Sequence, residues 1–348
     1  MLIIIEDGLS LKQERGVGQY TKRLYEMLNE IYQVKMNRKR FLENINNSII
    51  RRILYILWLN TFFILKLLFI NQKTICFFPS TITPFIKLKK TKYISTIHDI
   101  RSVKYPELST KIQNIHANFA NWSALKFADK ILTVSQTIKL ELLQHYKLNE
   151  NNINVIYNTF SLNNILYDKS ENILEKLNIK SNEYLLFVGG LDKNKNINMT
   201  ISAFEKISKI YKNLKLIIVG KVGNDNILSN NPQIIFAGFI SNEDIKVLYK
   251  NALIYLFPSI YEGFGIPIID AQLLQTPVIC SNIPVFKEVA GDGALFCDLN
   301  IDSLTEKITI LLNSKNLREK CINQGLINKD KFCFDKIKNQ MELLISEY

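Results

Sequence analysis

"SIYEGFGIPIID" (residues 259–270) sets Glu262 ahead of Gly263 and Gly265 and then runs straight into an apolar segment carrying Asp270. A carboxylate beside two residues without side chains offers hydroxyl groups an acceptor and offers an anion uncovered backbone N–H donors, all from one short loop. The stretch before it, "LIYLF" (253–257), has the continuous apolar character of a strand buried on both faces. Strand, glycine loop and helix in that order form the repeating unit of an open parallel sheet, where ligands gather beyond the carboxyl ends of the strands. A ligand bearing both hydroxyls and a diphosphate, a nucleotide sugar, suits such a loop. On spacing alone, a plain strand-loop-helix turn suits it too.

The same alternation runs through the chain. Strands are expected at 2–6, 74–78, 93–97, 130–134 and 154–157, and again at 184–190, 215–220, 233–238, 253–257 and 277–281. Helices are expected at 18–31, 135–146, 197–211, 241–250, 265–275 and 301–313; the first carries Tyr20, Leu24, Met27 and Leu28 on one face, and Ser135 is placed to cap the second. The fold class is therefore α/β, with two doubly wound, Rossmann-like domains and a ligand site in a cleft between them. The boundaries are 1–165 and 166–330, with 158–183 read as linker plus a short helix and 331–348 as a helix returning toward the first domain.

A chain of 348 residues with 47% hydrophobic content can bury two cores. Its five cysteines are scattered and never in a Cys-x-x-Cys pair, so neither a disulfide framework nor a zinc site is suggested and a reducing cytoplasm fits. The net charge of +12 is one-sided: residues 1–165 hold 23 basic and 11 acidic side chains, and the remainder holds 21 of each. An anionic surface or substrate is thus the expected partner of the first half, through runs at 37–40, 51–52 and 87–92 that by themselves read as solvated faces. The N-terminus "MLIIIEDGLS" reads as a buried strand and not as a signal peptide. Residues 53–70 reach the lower length limit of a membrane span, but Asn60 and Lys66 interrupt them. A lysine near mid-span costs roughly 2.5–3.5 kcal/mol, so a helix buried in the domain or docked at a membrane interface is the expectation.

Other loops carry chemistry of the same type. "RGVGQYT" (15–21) has Thr21 where a dinucleotide fingerprint needs its third glycine, but Gly16 and Gly18 still open a helix suited to an anion or a close ligand. "STIHDI" (95–100) puts His98 at a strand end, as a ligand contact or a hydrogen-bonded turn, whereas His116 and His145 fall in helices. "VGGLDKNKNI" (188–197) ends a strand in two glycines and starts a helix after Lys193 and Lys195, which suits a phosphate. No histidine or cysteine lies at metal-ligand spacing from His98.

With these blocks in view, residues 251–298 resemble the signature segment of glycosyltransferase family 4, the retaining, nucleotide-sugar-dependent enzymes of GT-B architecture. "GVGQYT" (16–21), "TIHD" (96–99), "ADKILTVSQ" (128–136), "VIYN" (155–158), "FVGGLDKNKNI" (187–197), "IVGK" (218–221) and "AGFISNEDIKVLYKNA" (237–252) agree in order and spacing. The resemblance implies that Glu262 binds the donor sugar's hydroxyls and that Asp270, standing where the family usually has glutamate, contacts the ribose. It places Lys195 on the diphosphate, with Asn194 where the family usually has arginine and Lys193 as a substitute for the lost charge. Gly263, Phe264 and Gly265 supply backbone donors, His98 faces the transferred sugar, and Gly16 and Gly18 lie near the donor phosphates and the acceptor.

The implied function is retaining transfer of a sugar such as mannose or a deoxysugar to a lipid-linked glycan of a bacterial surface polysaccharide, lipopolysaccharide O-antigen among them. No cofactor and no metal are expected, and the enzyme is placed at the cytoplasmic face of the membrane, held peripherally by its first domain. A nucleotide-sugar epimerase or a transferase with a soluble acceptor would keep the fold and change the reaction. A nucleic-acid-binding protein would explain the charge, but a zinc finger, an aromatic ribonucleoprotein motif and a basic recognition helix are all missing.

Overall fold

The computed structural model describes residues 1–8, 16–39, 42, 44–160, 172–190, 192–220 and 229–348. These form two compact units, Met1–Thr159 with Phe334–Tyr348 and Phe160–Cys333. Arg15, Arg40, Leu191 and Lys221, which belong to motifs or basic runs named above, and residues 161–171 of the 158–183 linker lie outside the described residues.

The first unit is built on a six-stranded parallel sheet of β1 (Leu2–Glu6), β2 (Gln33–Asn37), β3 (Thr74–Phe78), β4 (Thr91–Ile97), β5 (Lys130–Thr133) and β6 (Ile153–Val155), in the order β2-β1-β3-β4-β5-β6. Every residue of β1 and β3 is buried, as parallel strands covered on both faces require. β2 is an addition to the expected strands: it is an edge strand, "QVKMN", whose first four side chains alternate between exposed and half-buried before a buried Asn37, so its sequence lacks an apolar run. The helix Val17–Asn29 buries the face predicted for it, including Tyr20, Leu24, Met27 and Leu28. Ser135 caps the helix Gln136–Tyr146 by accepting from the Ile138 amide at 3.2 Å.

The apolar stretch expected as one helix over 53–70 is two helices, Ser48–Asn60 and Phe62–Leu68, broken at Thr61, whose backbone (φ −119°, ψ −85°) is not helical. Tyr55, Leu59, Phe63 and Leu67 turn inward and pack on Cys76, Phe78 and Tyr93 of the sheet, and Ile64 is buried as well. Ile53, Leu57, Phe62, Leu65 and Leu68 turn outward and are exposed, and Phe69 is 85% exposed. The two polar interruptions are spent inside the unit: Asn60 Oδ1 accepts from the Phe85 amide at 2.7 Å, and Lys66 Nζ donates to Asn37 Oδ1 at 3.1 Å.

One lysine of the 37–40 run departs from the solvated-face reading. Lys39 is buried, pairs with Glu6 and with Asp7 Oδ1 at 2.9 Å, and lies over the rings of Tyr55 and Trp58 at 5.2 and 4.9 Å. Burial still pushes the Glu6 carboxyl above its ordinary range, against the opposing pull of Lys39.

The second unit holds β7 (Tyr184–Val188), β8 (Lys215–Val219), β9 (Ile234–Gly238), β10 (Ile254–Phe257), β11 (Val278–Ser281) and β12 (Ala294–Cys297), all parallel, in the order β12-β11-β10-β7-β8-β9. β12 is the second unexpected edge strand, only four residues long and half-buried at its centre. Strand order runs outward in both directions from β7 and β10, so the topological switch point lies between them. In doubly wound sheets the ligand crevice opens there, beyond the carboxyl ends of the two strands. β7 leads into Gly189 and Gly190, and β10 leads into the Ser259–Gly265 loop.

Candidate functional site

The two loops at the switch point meet. After β7 the chain makes a short 3-10 turn, Lys193–Lys195, which Asn196 ends in a left-handed conformation (φ 54°) before the helix Ile197–Ser208. The Ile260 amide donates to the Asn194 carbonyl at 2.8 Å, stitching this turn to the loop after β10. Lys195 Nζ then reaches Glu262 Oε1 at 2.5 Å, with both side chains less than one-fifth exposed. The same Oε1 accepts from Asn194 Nδ2 at 3.3 Å. Lys195 Nζ also lies 4.8 Å from the centre of the Phe257 ring, on which its charge is favourably placed.

Glycine is required at two points of this construction. Gly220, after β8, approaches so closely that a Cβ there would stand 1.8 Å from the Gly189 carbonyl. Gly265 has φ 115°, and a Cβ on it would meet Phe286 at 3.0 Å, so this is the residue that lets the loop turn into the helix Ile266–Leu273. Phe264, between the two loop glycines, is buried and sets its ring edge-on to Phe332 at 5.5 Å. Its side chain therefore anchors the loop from below.

Asp270 lies half-buried on the helix Ile266–Leu273. It shares a neighbour with Glu262: the Tyr255 hydroxyl is held far above its ordinary pKa by burial first, then by Tyr249 and by the carboxylates of Asp270 and Glu262. Tyr255 is fully buried and donates toward the Val188 carbonyl at 3.4 Å, beneath both loops. Thus Lys195, Glu262, Gly263, Phe264, Gly265 and Asp270 lie in one neighbourhood of the second unit. Lys193 is exposed on its turn and is not among the partners of Glu262. Three contributors went unnoticed in the sequence: Asn194 as a donor to Glu262, Phe257 under the lysine, and Tyr255 under both carboxylates. Only Asn194 had a local signal, its position between two lysines.

His98 and the Gly16–Gly18 segment belong to the other unit and are joined to each other there. His98 Nε2 lies 2.7 Å from the Pro79 carbonyl, which can only accept, so Nε2 carries the proton and Nδ1 is the lone-pair nitrogen of the neutral ring. Burial holds the His98 pKa below its ordinary value, against the Pro79 bond and Asp99. The ring meets Tyr20 edge-on at 4.9 Å, and Tyr20 stands on the helix that Gly16 opens with φ 63°. Among the described residues no group of three or more His, Cys, Asp or Glu side chains is arranged to hold a metal ion.

The family model for glycosyl transferases group 1 matches residues 169–326, and that for glycosyltransferase family 4 matches residues 48–164. The O-antigen chain mannosyltransferase RfbU of Salmonella typhimurium is 33% identical over 251 residues, 70% of this chain and 65% of that protein's own length, just under two-thirds of it. Among solved structures, sucrose-phosphate synthase of Thermosynechococcus elongatus superposes with a TM-score of 0.76 at 19% identity, covering 100% of this chain and 98% of that one. Anabaena HepE in complex with UDP and glucose superposes with a TM-score of 0.71 at 17% identity, covering 99% of both chains. At these identities the structural likeness establishes the fold, which is GT-B.

Proposed function

This chain belongs to the group 1 glycosyltransferases, and on that premise we propose that it is a retaining transferase moving a sugar from a nucleotide-sugar donor to a lipid-linked glycan of a bacterial surface polysaccharide. The observation that carries the reading is the meeting of Lys195 and Glu262 at the switch point of the second unit, one charge of each sign beside a glycine loop. RfbU, by its name, acts on the O-antigen chain, and HepE was seen with UDP and glucose; both favour this donor and acceptor class.

Departure of a nucleoside diphosphate leaves positive charge on the anomeric carbon and builds negative charge on the leaving phosphate. Lys195 is the cation placed to meet that negative charge, and Glu262 is the acceptor for a hydroxyl of the sugar. Lys195 and Asn194 both occupy Oε1 of Glu262, so Oε2 is the oxygen left to face a ligand. Retention follows if the acceptor hydroxyl attacks the face that the phosphate vacates: the new bond forms to the anomeric carbon, the old bond to phosphate oxygen breaks, and that oxygen takes the acceptor's proton. No enzymic nucleophile is needed, and the charge on the leaving group is assigned to Lys195 without a metal.

We place the enzyme at the cytoplasmic face of the membrane. The outward side chains of the helices Ser48–Asn60 and Phe62–Leu68 form an apolar face too large for an isolated surface residue to explain, and Arg51 and Arg52 lie on the first of them. Burying apolar side chains while presenting cations to anionic headgroups is how an interfacial helix docks.

The test is a screen of nucleotide sugars by thermal shift, followed by turnover with a lipid-linked acceptor in buffer containing EDTA. A ligand bound by the native state raises its apparent stability, so the true donor is expected to raise Tm. Sugar appearing on the lipid with the anomeric configuration of the donor supports the reading. Epimerised donor without acceptor, inverted product, or activity that requires an added divalent cation contradicts the corresponding part of it.

A further inference from the structure

The contact that calls for explanation is the buried amide beside the ion pair. Asn194 is only 3% exposed, yet its Oδ1 is buried without a hydrogen-bond partner. A buried carbonyl left unpaired costs stability, so the fold alone would be better served there by an apolar side chain of the same size. The other end of the side chain shows what is obtained in exchange. Nδ2 donates to Glu262 Oε1 at 3.3 Å, while the Asn194 backbone carbonyl accepts from the Ile260 amide at 2.8 Å. Asn194 thus grips the 260–262 segment at two points, once through backbone and once through side chain.

Lys195 shares the same oxygen at 2.5 Å, but it cannot be what fixes Glu262 during the reaction. A lysine is a point charge on a flexible stem, and a diphosphate competes for it with two or more negative charges against the single one of Glu262. Asn194 is neutral, short and buried on a turn held by the Lys195 amide donating to Asp192 O at 2.9 Å and the Asn196 amide donating to Lys193 O at 3.1 Å. It has no reason to follow the phosphate.

Resting on the donor-site reading above, we propose that Asn194 is a positioning residue: its amide keeps Glu262 Oε1 in place after Lys195 has turned to the leaving diphosphate, so that Oε2 stays aimed at the sugar. The positive charge for the phosphate and the fixed geometry for the sugar are then supplied by adjacent residues of one turn, which separates two tasks that kinetics can read apart.

Asn194→Leu keeps the branching and the number of heavy atoms and removes both polar atoms; Asn194→Asp keeps the shape and replaces the donor with a carboxylate. Both are expected to lower kcat by about tenfold or more, the strength of one hydrogen bond to a charged group. For Asn194→Leu, donor KM, and the Kd of the donor's nucleoside diphosphate without its sugar, are expected to change less than about threefold. Lys195→Ala, measured alongside, is expected to weaken nucleoside diphosphate binding clearly. Asn194→Leu is further expected to keep or raise Tm, because it removes an unpaired buried carbonyl. Turnover of Asn194→Leu within twofold of wild type overturns the inference. So does a fall of several degrees in Tm accompanied by matching losses of kcat and nucleoside diphosphate affinity, which would make Asn194 an ordinary core residue. A wild-type protein that neither binds nor turns over any nucleotide sugar defeats the donor-site reading itself, so the two failures are distinguishable.

Discussion

Replacing Lys195 with alanine separates what the ion pair does for the fold from what the lysine does for the reaction. In the resting site the ammonium is 2.5 Å from Glu262 Oε1, the two side chains are 19% and 17% exposed, and the Asn194 amide remains on the same oxygen when the lysine is gone. Removing one partner of a fully buried pair costs about 3–5 kcal/mol, whereas a solvent-exposed pair is worth about 1 kcal/mol or less. With one-fifth of each side chain screened by water and a second donor in place, about 1–2 kcal/mol is the fitting figure. For a unit of this size that lowers Tm by roughly 2–8 °C. The effect on turnover should be larger, because in the transition state the lysine faces a leaving group that gains charge: on the order of 10²–10³ in kcat, or about 2.7–4 kcal/mol. Nucleoside diphosphate release at saturating donor and acceptor gives kcat, and differential scanning fluorimetry gives Tm. Lys195→Met, which also lacks the ammonium, should lose turnover to the same extent and keep the ion-pair part of the Tm loss. A Lys195→Ala enzyme working within threefold of wild type would refute the assignment of the leaving-group charge to this residue.

Glu262→Ala is expected to reduce turnover at least a hundredfold with the fold retained by circular dichroism; near-normal turnover would remove Glu262 from the site. Burial, with a smaller push from Arg52, lowers the His116 pKa from 6.5 to about 4, so the folded protein holds this ring neutral where the unfolded chain protonates it. Its contribution to stability is complete above about pH 6.5 and is lost as pH falls toward 4, with His98 acting in the same direction. His116→Asn should therefore flatten the urea midpoint between pH 7.5 and pH 4.5, and an unchanged slope would show that the ring titrates normally. Replacing Ile53, Leu57, Phe62 and Leu65 with serine should release the protein from vesicles containing anionic lipid without lowering Tm, since all four side chains are exposed. Unchanged vesicle recovery would contradict interfacial docking.

How far each feature could be read from the sequence followed from where it sits. Buried parallel strands such as β3 and β7 are uninterrupted apolar runs and were placed within a residue or two. β2 and β12 lie at sheet edges, where one side of the strand meets no neighbour and polar or short sequences suffice. The break at Thr61 left no mark, because threonine is tolerated inside helices and the apolar pattern continues across it. Lys39 read as surface charge because its partners, Glu6 and Asp7, are more than thirty residues away and only the β1–β2 pairing brings them together. At the candidate site, loop chemistry was visible as glycines beside charges, whereas the contact between Lys195 and Glu262 depends on β7 and β10 being neighbours across the switch point. No local pattern encodes that adjacency, and Phe257 and Tyr255, which act from beneath, looked like core residues and are core residues.

The most direct measurement is a crystal structure of the protein with its intact nucleotide-sugar donor, using a slow variant or a non-hydrolysable analogue. The diphosphate is expected within hydrogen-bonding distance of Lys195 Nζ and of the amides around Gly263, with a sugar hydroxyl on Glu262 and the Asn194 amide still on its other oxygen. A donor bound elsewhere, leaving the Lys195–Glu262 pair as it stands here, would contradict the account.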